Sequence, residues 1–184
     1  MTPGERHAAM AGGFSERVDG VTDWDAPAPV DGWLARDVVG HLVEWLPGFL
    51  AGGGVELAVD RPGIADDPAV AWHAHAAAVQ ALLDGPDAAR DFTHPQVGTH
   101  PVAAAIDQFY TTDVFLHTWD LARATGQDDR LDAATCAELL AGMEPWDEVL
   151  RQSGQYGPKV PVPDGASAQD RLLGFIGRDP AWRA

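Results

Sequence analysis

Glycine, proline and aspartate cut this chain into six segments, and the stretches between the cuts carry apolar residues at helical spacing, with no convincing strand alternation. The Thr2-Pro3 pair suits a helix start and predicts a first helix over about Pro3 to Val18, weakened locally by Gly12 and Gly13. A proline-rich loop from Asp23 to Gly32 leads to Trp33 and a second helix over about Leu34 to Leu50, with Pro47 expected to kink it or close its regular part and Gly52-Gly53-Gly54 to end it. Asp66-Asp67-Pro68 combines a capping carboxylate with proline at the first helical position, so a third helix runs from there to about Leu83. Asp91 to His100 reads as irregular and partly extended. A fourth helix is expected from near Pro101 to Thr125, with Gly126 behind it, and a fifth from the Asp132 cap to about Gln152, kinked at Pro145. Ser167 with Asp170 resembles a capping box for a short last helix to about Ile176. Long helices with short connections predict one all-α bundle spanning 1–184.

Composition narrows the function classes. At 184 residues the chain is long enough for one domain with a sizeable core. No apolar run approaches the roughly 18 residues of a membrane span, and Met1 to Phe14 lacks the pattern of a signal peptide. Cys136 is the only cysteine, which excludes an intramolecular disulfide and a cysteine metal cluster. These absences fit a cytoplasmic protein. With 12 basic against 28 acidic residues the net charge is −16, so the surface should repel nucleic acid. A small-molecule substrate is the expected partner, and the chain is expected to be a monomer or a homodimer.

Two helices carry polar residues where apolar ones belong. On the fourth, Ile106, Phe109, Tyr110, Val114 and Leu121 mark a buried stripe, and Asp113 and His117 fall on it one turn apart. On the second, Leu34, Val38, Leu42 and Trp45 mark the stripe, and His41 falls on it. A carboxylate on an apolar face is costly unless something meets it. A lone buried histidine is more often a hydrogen-bonded core residue, and an aspartate and a histidine four apart can be a simple helix pair. If both stripes face one core, however, two imidazoles and a carboxylate converge. That set is a common catalytic zinc shell with a position left for water or substrate, and it also suits nickel or iron. His73 and His75 point to different faces of the third helix and read as surface or packing residues. His7, His94 and His100 carry no spacing signal.

Trp24, Pro29-Val30-Asp31-Gly32-Trp33 and Asp37-Val38-Val39-Gly40-His41-Leu42, followed by Asp113-Val114-Phe115-Leu116-His117-Thr118-Trp119-Asp120-Leu121-Ala122-Arg123-Ala124-Thr125-Gly126, resemble the two signatures of the mycothiol-dependent maleylpyruvate isomerase N-terminal domain family, in the DinB/YfiT-like superfamily. The tail, with Asp170-Arg171-Leu172 and Gly177-Arg178-Asp179-Pro180-Ala181-Trp182, is similar to a largely uncharacterised actinobacterial branch. The resemblance implies a DinB-like four-helix bundle with additional short helices. It implies a divalent metal on His41, Asp113 and His117, used to activate a low-molecular-weight thiol such as mycothiol, or water. The isomerase has glutamate at the position of Asp113 and an added C-terminal domain for which 127–184 leaves little room, which points away from maleylpyruvate itself as substrate.

The expected function is therefore a metal-dependent thiol S-transferase or isomerase acting on small electrophiles, with zinc the first choice of metal. The alternatives are a hydrolase using metal-bound hydroxide on the same ligands, and a non-catalytic metal-binding or structural protein. Asp120 and Arg123 are candidates for a supporting shell, Asp120 orienting a ligand or simply pairing with Arg123, and Arg123 alternatively meeting an anionic substrate. Trp24, Trp33 and Trp45 are candidates for the pocket wall.

Overall fold

A computed structural model describes all 184 residues and shows a mostly helical chain. α1 (Pro3–Asp19) starts on Thr2, whose hydroxyl accepts from the Glu5 N–H while the Glu5 carboxylate accepts from the Thr2 N–H, a reciprocal pair that satisfies two otherwise orphaned donors. α2 (Ala35–Gly52) continues past Pro47. The proline nitrogen cannot donate to the Val43 carbonyl one turn back, and the Arg61 guanidinium reaches that carbonyl instead, at 3.4 Å. α3 (Pro68–Asp84) is capped by Asp67 as expected. No helix is long and apolar enough to cross a membrane.

Two expectations are sharpened after α3. After a 3-10 turn (Pro86–Ala89), the 91–100 region is an antiparallel hairpin of β1 (Asp91–His94) and β2 (Gly98–Pro101). Only Phe92 of its strands is buried, and its ring packs so tightly on Gly53 that a Cβ there would lie 2.1 Å from it. The helical run that follows is not uniform either. α4 (Val102–Ala105) passes into a π-helical turn (Ile106–Thr111) before α5 (Thr112–Ala124). The wide turn brings both Tyr110 and Thr111 into the interior.

α1, α2, α3 and the 102–124 run surround the larger core, which includes Phe14, Leu42, Leu46, Trp72, Ile106, Tyr110, Val114 and Leu121. A second core lies on the other side of α5. There Phe115, Leu116 and Trp119 meet Cys136 and Leu140 from α6 (Ala133–Met143) and Leu172, Leu173 and Phe175 from α8 (Ala168–Phe175). The expected single helix to Gln152 is broken at Pro145 by a 3-10 turn (Glu144–Trp146), and α7 (Asp147–Gln152) follows it. The extended chain after α7 packs on α8 at Gly174, where a Cβ would lie 2.6 Å from the Val160 carbonyl.

Candidate metal centre

α2 and α5 pack against each other and bring His41, Asp113 and His117 together at their contact. One ligand atom from each lies within 4.8 Å of the other two. His41 Nε2 stands 2.9 Å from Asp113 Oδ2, and His117 Nε2 stands 3.5 Å from Asp113 Oδ1. Ligands about 2.1 Å from one ion at tetrahedral angles are themselves about 3.4 Å apart, so this donor set fits a single cation with little movement. The carboxylate is further held by the Trp45 indole N–H, which donates to Oδ2 at 3.1 Å.

The centre is walled on one side and open on another. Trp33 stacks on the His117 ring at 5.8 Å with 17° between planes, and lies 5.2 Å from the His41 ring. His117 is buried, whereas the His41 and Asp113 side chains keep 32% and 23% of their surface in solvent. A small molecule can therefore approach from the His41 side. Of the three tryptophans expected in the wall, Trp33 and Trp45 touch the site, while Trp24 packs against the larger core.

The electrostatics follow from two carboxylates placed around one buried imidazole. Burial alone would raise the Asp113 pKa. The adjacent His117 and the hydrogen bonds from His41 and Trp45 outweigh burial and hold this carboxyl below its usual range. For His117 burial pulls the other way, yet Asp113 and Asp120 together keep the imidazole more basic than usual. Asp120 is only 1% exposed. It accepts from His117 Nδ1 at 2.8 Å, and Arg178 donates to it through Nε at 2.8 Å and Nη2 at 3.0 Å. Burial is again overridden, by His117 and Arg178, so the Asp120 carboxyl is held below its ordinary value. A carboxylate behind a histidine on the side away from the metal is the usual way to fix which ring nitrogen faces the ion.

Asp120 thus stands behind His117, and Arg123 does not share it. Arg123 Nε lies 2.8 Å from Asp129 Oδ2, and its Nη2 donates to the Pro180 carbonyl at 2.8 Å. Both contacts tie α5 to the segments around it and leave this guanidinium committed. Sequence reasoning missed Arg178, which lies 58 residues from its partner. The tail motif Gly177-Arg178-Asp179-Pro180 was visible, but nothing local says where its cation goes. His73 lies on the surface against Asp19 at 2.8 Å. His75 is fully buried, away from the centre, next to Tyr110.

Two uncharacterised proteins from different strains of Mycobacterium tuberculosis are similar to this chain. Each is 28% identical over 160 residues, covering 83% of this chain and 83% of the relative. No family model matches the chain, and no solved structure matches it.

Proposed function

We propose that this chain is a DinB-like, cytoplasmic, divalent-metal protein that acts on a small electrophilic molecule with the help of a low-molecular-weight thiol such as mycothiol, as an S-transferase or isomerase. The observation that carries the metal reading is the convergence of three donor atoms within 4.8 Å from two separate helices, with part of the cluster open to solvent. The donor set, two imidazoles and one carboxylate, suits zinc first, and nickel or iron next. The thiol reading is supported by the resemblance of the two histidine motifs to the maleylpyruvate isomerase family. When bound, the metal supplies Lewis acidity, which lowers the pKa of a coordinated thiol or water near neutral pH.

The protein's own residues do the rest. His41 and His117 present Nε2 to one point, and Asp113 balances the positive charge there. The Trp45 N–H restrains the Asp113 carboxylate, and the Trp33 ring excludes water from one side of His117. Asp113 is one methylene shorter than the glutamate of the isomerase, and the Trp45 hydrogen bond fixes where that shorter arm points.

Elemental analysis of untagged protein tests the metal reading. About one divalent ion per chain is expected in the parent, and none in His41→Ala or His117→Ala. Loss of free mycothiol in the presence of small electrophiles tests the reaction; release of hydrolysis products without thiol consumption would replace the transferase by a hydrolase on the same ligands.

A further inference from the structure

We propose that Arg178 is a positioning residue of the metal centre, through which metal binding and docking of the C-terminal segment stabilise each other. The inference rests on the metal reading above and concerns a residue 58 positions from the helix it acts on.

A chain of hydrogen bonds carries it. A buried carboxylate only accepts, so Asp120 Oδ2 at 2.8 Å takes the Nδ1 hydrogen of His117 and leaves the Nε2 lone pair facing Asp113 and His41. Asp120 can hold the ring there only if its own orientation is fixed. Arg178 fixes it with two nearly parallel hydrogen bonds, at 2.8 and 3.0 Å, the fork-on-carboxylate geometry that sets both position and plane. No residue of α5 takes this role, since Arg123 is spent on Asp129 and the Pro180 carbonyl.

The backbone that delivers Arg178 is itself constrained. Two residues beyond α8, Gly177 takes φ +88°, and the Arg178 N–H returns to the Leu173 carbonyl at 2.9 Å, a helix-ending loop that calls for glycine. The same glycine lies against the 157 backbone, where a Cβ on residue 177 would sit 2.9 Å from Gly157. Arg178 therefore leaves α8 in one direction, towards Asp120. Because coupling between two binding events is reciprocal, whatever factor the docked tail adds to metal affinity, the metal adds to tail docking.

The experiment titrates metal-free protein with Co(II), following the visible ligand-field bands, and with Zn(II) by competition against a chromophoric chelator. Arg178→Gln is expected to weaken metal binding about 10–100-fold, in line with losses of such supporting partners, and to change the Co(II) spectrum. Arg178→Lys should recover part of the affinity but not the parent spectrum. Gly177→Ala should weaken binding in the same direction without touching a charged group. In the parent protein, Zn(II) should slow amide exchange over residues 177–183, a readout that does not depend on any variant folding. If Arg178→Gln and Gly177→Ala bind metal like the parent with an unchanged spectrum, or metal leaves exchange over 177–183 unaltered, the role of Arg178 is wrong while the metal reading stands. If parent and His117→Ala take up metal equally, the metal reading falls and takes this inference with it.

Discussion

Two groups of buried histidine sit in this molecule, and they have opposite chemistry. At the α2–α5 contact, His117 lies between Asp113 and Asp120 and is held more basic than usual. Between α1, α3 and the π-helical turn, His7 and His75 flank the Tyr110 ring at 6.1 and 5.7 Å. Here His75 finds no hydrogen-bond partner for either ring nitrogen, and His7 Nε2, the Tyr110 hydroxyl and the Thr111 hydroxyl are equally without protein partners. Burial pushes both imidazoles down, and the neighbouring Arg61 charge helps take His75 to about 4. Burial alone therefore says nothing of a ligand site. The carboxylates decide, because only they favour a cation at that point, whether it is a proton or a metal.

The largest expected effect comes from dismantling the first group. His117→Ala leaves two carboxylates around an empty space, so stability is expected to fall by about 3 kcal/mol or more and, on the proposed metal reading, metal content to fall to zero, read by urea unfolding and elemental analysis. The pH dependence of the metal-free protein separates the groups next. The unfolded chain takes up a proton near pH 6.5 that folded His75 refuses until about 4, so stability should fall across that window and level off below it. For this group alone the loss is about 3 kcal/mol, seen as a declining urea midpoint from pH 7 to 4. His117 tilts the other way: its folded value is raised, so its contribution is complete below the unfolded value and is lost as pH rises through the folded one. His75→Phe should flatten the acid decline while staying within about 1 kcal/mol of the parent at pH 7, since it replaces an unpartnered polar ring by an apolar one. The smallest effect is expected for Arg61→Ala, which uncaps the Val43 carbonyl at a cost of about 1 kcal/mol and lets His75 titrate at higher pH, observable by NMR.

How far the chain could be read without coordinates follows the range of each interaction. Helix starts were legible because a cap is a local contract: Thr2 with Glu5, Asp67 before Pro68, Asp132 with Thr135 and Ser167 with Asp170 are all within three residues of each other. His41, Asp113 and His117 were legible because each breaks an apolar stripe whose period is known. The hairpin escaped because four-residue strands with one inward residue leave too little alternation to detect. The π-helical turn escaped because its composition is ordinary for a helix, and a change of hydrogen-bond register leaves no residue-type mark. His75 is the packing residue that one of the two readings allowed, its partners coming from other helices, and Arg178 went unassigned because its partner lies 58 residues away in the chain, a separation that local spacing does not encode. Pro47 was expected to kink α2 or close its regular part; the helix continues to Gly52, and Arg61, from a separate loop, serves the orphaned Val43 carbonyl.

α5 belongs to both cores at once. Its Val114 and Leu121 face the larger one, its Phe115, Leu116 and Trp119 the smaller, and Asp113 and His117 lie on the same thirteen-residue helix. Neither half can be cut free without wounding the other. Removing everything after Gly126 would bare three large apolar side chains and strip Asp120 of its guanidinium, so the two cores should melt as one body and be inherited as one.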